Sequence, residues 1–150
     1  MVYFLDSSAL VKLYHPEKGS DKVEKLFTEP DRRILISRLA CVEIVSALAL
    51  KVRTGALEAS ASQALRLRFL AHVNSGEIAV LGIQGQHYTR AEELIALHGT
   101  QRGLRTLDAI HLAVALDVQE RVGLDALVVA DAALGETAEV LGLLSQNPEA

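Results

Sequence analysis

Several residue types and patterns are scarce in this sequence, and each shortage excludes a class of protein. Cys41 is the only cysteine, so no disulfide can form within the chain and a reducing compartment is expected. No apolar run approaches the roughly 18 residues that a membrane-spanning helix needs, which predicts a protein without a membrane segment. Aromatic residues make up only 4% of the chain, so no aromatic array is available for stacking bases.

Basic charge is scarce as well. The chain has 15 Lys and Arg against 19 Asp and Glu, which gives a formal net charge of -4. Proteins that hold nucleic acid by bulk electrostatics usually carry a basic footprint, and this composition argues against one. A role on nucleic acid would have to be local, at a cluster of acids whose bound cations attract phosphate.

Familiar nucleotide and zinc motifs are also missing. There is no GxxxxGK[ST] loop and no GxGxxG turn, which argues against a nucleotide-binding fold. The five histidines show no spacing typical of zinc ligands; they are His15, His72, His87, His98 and His111. The apolar segment Met1–Leu5 has no basic leader, so we do not expect a signal peptide and predict a cytoplasmic protein.

What the sequence does contain fits one globular domain over residues 1–150. Half of the residues are hydrophobic and 23% are charged, which is the composition of a folded chain whose core is built from aliphatic side chains. A second domain is not expected at this length. The polar residues 145–150 are expected to fray at the end of the domain.

Short apolar runs alternate with longer helical patterns. The runs Val2–Leu5, Ile34–Ile36, Ile78–Leu81 and Ala126–Val129 are predicted to be strands. A helix follows Asp6, and the other predicted helices cover residues 39–53, 57–74, 88–98, 107–118 and 131–144. We expected Ser37 to cap the helix over 39–53 and Gly99 to end the helix over 88–98. This alternation predicts an α/β fold with a parallel sheet covered by helices on both faces.

Two acids directly follow predicted strands. Asp6 comes after the first strand and Asp131 after the last. In open parallel sheets, ligands bind in the crevice beyond the carboxyl ends of the strands, so both side chains could point into a site. Each could equally be a helix N-cap, and an N-cap can also be a ligand.

Two further acids lie in apolar helical stretches. Glu43 and Asp108 each have mostly apolar sequence neighbours, and an unpaired buried carboxylate is costly. A buried salt bridge would compensate such a group, and so would a metal or proton-handling site. Thr106 could cap the helix of Asp108 and leave the acid free. His111, on the same helical face as Asp108, could orient that carboxylate, touch substrate or serve only as a structural residue.

These residues stand in segments that resemble the PIN domain, and within it the VapC-type toxins of bacterial toxin-antitoxin pairs. The matching segments are residues 3–12, residues 37–39 leading to Val42 and Glu43, residues 104–113, and residues 128–131 with Leu134. The resemblance spans nearly the whole chain, with order, spacing and residue type in agreement. One departure is Val129, since the family often has Ser or Thr two residues before the last acid.

The resemblance implies a three-layer PIN-like fold and metal-dependent cleavage of RNA. It also implies a homodimer and inhibition by a cognate antitoxin of the VapB type. We expected Asp6, Glu43, Asp108 and Asp131 to be the catalytic residues and the ligands of Mg²⁺, with Mn²⁺ as a possible substitute. Ser7, Ser8, Thr106 and His111 were assigned supporting roles. Cations near the motifs were the candidates for RNA phosphate contacts, although surface roles were equally open to them; they are Lys12, Arg38, Arg102 and Arg105.

Two rival functions fit parts of the same pattern. In a phosphoaspartyl phosphatase, Asp6 after a strand would be the nucleophile, but Ser8 stands where such enzymes usually have a second Asp. The other rival is an inactive PIN-like scaffold whose apolar helices only bind a partner. It predicts no loss of function when Asp6 or Asp108 is replaced by Asn.

Overall fold

Apolar segments form the centre of a five-stranded parallel sheet in the computed structural model, which describes residues 1–150. The strands are β1 (Val2–Leu5), β2 (Arg33–Ser37), β3 (Ile78–Leu81), β4 (Ala126–Val128) and β5 (Ser145–Gln146). Their spatial order is β3-β2-β1-β4-β5. The first strand therefore lies at the centre, where Tyr3 pairs with Ile34 on one side and Ala126 on the other.

Seven helices and one short 3₁₀ turn connect the strands. The helices are α1 (Ser7–Leu10), α2 (Ser20–Thr28), α3 (Arg38–Arg53), α4 (Ala59–Asn74), α5 (Gly85–Arg102), α6 (Thr106–Arg121) and α7 (Ala132–Val140). The 3₁₀ turn, Val11–Leu13, follows α1 directly. No helix is both long enough and apolar enough to cross a bilayer.

The sheet separates two hydrophobic cores. Side chains alternate along β1, so Phe4 faces a core covered by α5, α6 and α7, while Tyr3 and Leu5 face the other, covered by α1 to α4. The two cores contain 18 and 17 buried residues, so both faces of the sheet are fully covered. A sheet buried on both faces explains why its central strands are continuous apolar runs. The predicted α/β class and parallel sheet are confirmed.

Several helix boundaries differ from the prediction, and one helix was missed. Gly99 does not end α5, which continues to Arg102 and stops before Gly103, whose φ of 65° is left-handed. Helix α7 ends at Val140, earlier than predicted. Helix α2 was not predicted, because it has few apolar residues, of which Val23 and Leu26 are buried and Phe27 is partly buried.

The C-terminal tail also differs from the expectation that residues 145–150 fray. Ser145 and Gln146 pair with β4 as an edge strand, so backbone hydrogen bonds hold this polar segment. Beyond it, Glu149 forms a 2.6 Å ion pair with Lys12. Gly19, with a φ of 87°, packs so closely that a Cβ atom would lie 2.7 Å from the Pro148 carbonyl oxygen. The tail therefore packs against the 3₁₀ turn Val11–Leu13 and the segment before α2.

Candidate functional site

The candidate site lies where the sheet order changes direction. From β1 the chain moves outward through β2 and β3, and it then returns to form β4 on the opposite side of β1. The carboxyl ends of β1 and β4 are thus adjacent, and a crevice forms beyond such a switch point. Asp6 directly follows β1, and Asp131 follows β4 by three residues. The topology therefore brings these two acids to the same edge of the sheet.

Asp6 is buried and held in one orientation by Ser8. As the N-cap of α1, its Oδ2 accepts hydrogen bonds from the Ser8 amide at 3.2 Å and the Ser8 hydroxyl at 2.6 Å. The same hydroxyl oxygen accepts a 3.1 Å bond from the Ala130 amide. Ser8 therefore links Asp6 to the segment after β4. Val129, at the position where the PIN family often has Ser or Thr, has its side chain buried in the core. Asp6 is both an N-cap and a member of the site.

His111 is the buried centre of one half of the site. Its Nδ1 lies 2.8 Å from the Ser37 hydroxyl, and its Nε2 hydrogen-bonds to Oε1 of Glu43. The same Nε2 is 3.6 Å from Oδ1 of Asp6. Burial alone would lower the pKa of His111, but the hydrogen bond that its ring donates to Glu43 and the charges of Asp6, Glu43 and Asp108 raise it above its ordinary value. The ring thus bridges two of the predicted acids, whereas we had considered it as a partner of Asp108.

Glu43 reaches this histidine from the first turns of α3. The sequence predicts mostly apolar neighbours around Glu43, but one of them, Leu50, is exposed to solvent. The Glu43 side chain is 23% exposed and contacts His111 at the surface of the site. An ion pair or hydrogen bond was one of the two explanations that the sequence left open for Glu43, and His111 supplies that partner.

Asp108 and Asp131 form the other half of the site around Arg105. Arg105 Nε lies 3.3 Å from Oδ2 of Asp108, and its Nη2 lies 3.9 Å from Oδ2 of Asp131. Burial raises the pKa of Asp108, the charge of Asp6 adds to that rise, and Arg105 partly opposes it. Asp131 caps α7 by accepting a 3.1 Å hydrogen bond from the Leu134 amide, so it too combines capping with a place in the site.

The supporting residue Thr106 and the predicted cap Ser37 differ from their expected roles. Arg105 is the N-cap residue of α6, so Thr106 is its first helical residue and does not cap it. Ser37 holds the N-cap position of α3, but its hydroxyl makes no capping hydrogen bond and contacts His111 instead. Ser7 lies half-buried at the start of α1. The sequence predicted Ser37 as a helix cap, although its place at the carboxyl end of β2 was a signal for the site.

The predicted phosphate-binding cations divide into two groups. Arg38 and Arg102 are exposed, and Arg105 is 76% exposed at the rim of the acid cluster. Arg102 and Arg105 line a cavity of about 250 Å³ together with Asp108 and Asp131. Lys12 is buried and paired with Glu17 and Glu149, so its ammonium group does not reach the rim. Arg38 lines the separate groove between α3 and α4. The phosphate contacts of the three exposed arginines stay a prediction.

The donor set has the chemistry of a site for a hard divalent cation. Carboxylate oxygens are the ligands that Mg²⁺ and Mn²⁺ prefer. In this arrangement no three His, Cys, Asp or Glu side chains stand close enough to hold an ion. His111 bonds to Glu43, and Arg105 bonds to Asp108.

Comparison with known proteins supports this organisation. The profile of the PIN domain matches residues 3–140. No curated protein sequence is significantly similar to the chain.

Solved structures of similar fold include toxins and their complexes. Mycobacterium tuberculosis VapC20, described as a sarcin-ricin loop cleaving toxin, has 18% identity and a TM-score of 0.69, covering 97% of this chain and 99% of its own. VapBC2 from Rickettsia felis, bound to a DNA fragment from their promoter, has 18% identity and a TM-score of 0.64, with 98% of each chain covered. FitAcB from Neisseria gonorrhoeae has 15% identity and a TM-score of 0.67, covering 99% of this chain and 98% of its own. At these identities the likeness establishes a shared fold.

Proposed function

The chain belongs to the PIN-domain family, and from that premise we propose that it is a metal-dependent endoribonuclease with Asp6, Glu43, Asp108 and Asp131 as its ligands. The observation that carries the proposal is the convergence of acids from distant parts of the chain. Asp6 and Glu43 share the Nε2 atom of His111, while Arg105 joins Asp108 to Asp131. Burial raises the pKa of Asp108 and the charge of Asp6 raises it further, so the two halves of the site interact electrostatically.

The acids of the site repel one another, and a cation would relieve that repulsion. A bound Mg²⁺ or Mn²⁺ supplies positive charge to the scissile phosphate and makes a bound water more acidic. Asp6 would bind through a carboxylate whose orientation Ser8 already fixes. Glu43 and Asp108 would contribute from α3 and α6, and Asp131 would contribute directly or through water. The donor set therefore suits hydrolysis of a phosphodiester.

Exposed arginines beside the acids would hold the RNA backbone. Arg105 and Arg102 line one cavity with Asp108 and Asp131, and Arg38 begins the helix that carries Glu43. Guanidinium groups bind phosphate through paired hydrogen bonds, and such contacts position a nucleic acid without reading its sequence. Because the whole chain has a net charge of -4, we infer that these local cations supply the attraction that the remaining surface lacks.

Cleavage assays with site variants test the proposed activity. Purified protein would be incubated with several RNAs in Mg²⁺, Mn²⁺ or EDTA, alongside Asp6→Asn and Asp108→Asn. We expect EDTA and either substitution to abolish cleavage. Asp21→Asn is a matched control, because Asp21 is an exposed acid in the first turn of α2. Cleavage that persists in EDTA or in both site variants would refute the mechanism, and no cleavage under any condition would favour the inactive scaffold.

We further propose that the chain is the toxin of a type II toxin-antitoxin pair, active as a homodimer in the cytoplasm and neutralised by an antitoxin of the VapB type. The structural neighbours described as VapBC and toxin-antitoxin complexes support a protein partner. An apolar groove of about 520 Å³ between α3 and α4 supports it too. Its lining includes the exposed residues Val42, Val45 and Leu70. Exposed apolar surface of this kind is typical of interaction sites.

Two measurements test the partner and the dimer. A gene for a small DNA-binding protein beside the gene for this chain would identify the candidate antitoxin, and co-expression should rescue cell growth and inhibit cleavage by the purified pair. Light scattering of the isolated chain should give the mass of a dimer. Growth arrest that the neighbouring product does not relieve would contradict the pairing, and a monomeric mass would contradict the homodimer.

A further inference from the structure

We propose that His111 is a positioning residue that fixes the Glu43 carboxylate beside Asp6, and that Ser37 sets the orientation of its ring. The proposal rests on the function proposed above, because its purpose is to prepare an acid for a cation. The three side chains form one continuous path, from the Ser37 hydroxyl through both ring nitrogens to Oε1 of Glu43. The Ser37 hydroxyl makes no helix-capping bond, so its hydrogen bond to His111 is available to orient the ring.

The ring of His111 is held in place by its surroundings. Ser37 and His111 are both buried, and the neighbouring residues of α6, from Ala109 to Leu116, are buried as well. A rotated ring would lose the Ser37 bond on one side and the Glu43 bond on the other. Loss of a hydrogen bond by a buried polar atom is costly, so the path admits one ring orientation.

The two partners of the ring place a proton on Nε2. The ionised carboxylate of Glu43 can only accept, so Nε2 donates to it, and in the neutral ring the Ser37 hydroxyl donates to Nδ1. In the charged ring, Nδ1 donates to the Ser37 oxygen and Nε2 still carries a proton. The Nε2 atom therefore donates to Glu43 in both states, and the positioning does not depend on the charge of His111.

The hydrogen bond from His111 Nε2 restricts the motion of the Glu43 side chain. A glutamate at 23% exposure on a helix surface can turn into solvent, and a ligand that must be ordered on binding weakens the site. His111 occupies one carboxylate oxygen of Glu43 and leaves the other free to act as a ligand. Partners that orient metal ligands in this way typically contribute about 10-fold to 100-fold in metal affinity.

Replacement of His111 by two residues of different chemistry tests the donor. His111→Leu fills the space without a donor, whereas the side-chain amide of His111→Gln can still donate to Glu43. We expect His111→Leu to weaken Mn²⁺ binding about 10-fold to 100-fold, measured by electron paramagnetic resonance of free Mn²⁺, and His111→Gln to restore most of the affinity. In a Glu43→Gln background, His111→Leu should have no further effect. Equal affinities of wild type and both variants, or equal losses in both, would overturn the proposal.

Ser37→Ala provides a second test that leaves the ring and the packing of α6 in place. Nitrogen NMR of the His111 ring, recorded in EDTA, should show a hydrogen-bonded Nδ1 in the wild type and a shift of the Nδ1 resonance towards that of a free ring nitrogen in Ser37→Ala. The variant should also bind Mn²⁺ more weakly than the wild type. An unchanged ring spectrum and unchanged affinity would overturn the role of Ser37, even if His111→Leu fails to fold.

The outcomes separate this proposal from the proposed function. If the wild type binds no Mn²⁺, or if Asp6→Asn leaves binding intact, the metal site itself is refuted. If the wild type binds Mn²⁺ and Asp6→Asn abolishes that binding, but His111→Leu matches the wild type, only the positioning role fails. Unfolding temperatures measured in EDTA for every variant distinguish a loss of affinity from a loss of folded protein.

Discussion

Replacement of Lys12 by Met distinguishes two roles for this residue, an internal ion pair and a contact with RNA. The Lys12 side chain is 3% exposed, and its Nζ atom lies 3.0 Å from Oε1 of Glu17 and 2.6 Å from Oε1 of Glu149. Methionine has a similar length and no charge, so the substitution removes the ammonium group and leaves both carboxylates without this partner. Glu17 would retain Lys51 at 3.3 Å, and Glu149 would have solvent only.

The expected cost follows from the exposure of the two acids. Removal of one partner from a fully buried pair costs about 3–5 kcal/mol, whereas exposed pairs contribute about 0–1 kcal/mol. Glu17 and Glu149 are 30% and 36% exposed, so water would solvate each charge in part. An intermediate cost of about 2 kcal/mol is expected, which corresponds to a fall in Tm of roughly 4–8 °C for a chain of this size.

The protonation state of Lys12 supports a measurement at neutral pH. Burial alone would lower the pKa of Lys12, but its bonds to Glu149 and Glu17 raise it above the ordinary value of 10.5. A cation with a raised pKa contributes its full stability below the ordinary value and loses it as the pH rises through the folded value. The contribution is therefore complete at pH 7 and should decline only in strongly alkaline solution.

Urea and thermal unfolding of Lys12→Met, Glu149→Gln and the double variant would measure the coupling. We expect each single variant to be destabilised and the double variant to be less destabilised than the sum, with RNA affinity unchanged. Lys25→Met is the matched control, since Lys25 is an exposed lysine on α2. If Lys12→Met unfolded like the wild type and bound RNA more weakly, the ammonium would lie at the rim and the reasoning from burial would be wrong.

Three further predictions concern charge and backbone strain. Asp108→Asn, measured in EDTA, should raise the Tm at neutral pH, because burial and the charge of Asp6 raise the pKa of Asp108 and so disfavour its ionised form in the folded protein. The gain in Tm should vanish in acid, where the carboxyl group is protonated in both the folded and the unfolded protein. Asp117→Asn should lower the free energy of unfolding by about 1–2 kcal/mol at pH 7. Burial alone would raise the pKa of Asp117, but its hydrogen bonds with His87 and Arg121 lower it below the ordinary value of 3.8. Thermal scans should therefore show that the difference in stability between Asp117→Asn and the wild type declines as the pH falls below 3.8. Gly19→Ala should cost about 1–3 kcal/mol in urea unfolding, from the left-handed backbone and the contact with Pro148.

The central strands could be predicted because burial on both faces leaves a strong pattern. β1, β2, β3 and β4 each consist largely of apolar residues. The edge strand β5 has no such pattern, since Ser145 and Gln146 are polar and are held only by backbone pairing. A strand stabilised by main-chain hydrogen bonds leaves no hydrophobic signal in its side chains.

The convergence of the acids could also be predicted, but their partners could not. Position after a strand placed Asp6 at the sheet edge, and topology brings Asp131 there. The bond from Ser37 to His111 joins residues far apart in the chain, and Ser37 by itself reads as a helix cap. The burial of Lys12 depends on Glu149 at the opposite end of the chain, which no local pattern indicates.

The central place of β1 in the sheet has a consequence for the synthesis of the protein. This strand is made before its neighbour β4 and before the acid that follows β4, with β2, β3 and most of the helices between them. A parallel pairing between such distant segments forms late, because the loop between them must be closed first. A growing chain therefore carries Asp6 before Asp131, and the cluster of acids cannot assemble until β4 and the residues after it have been made.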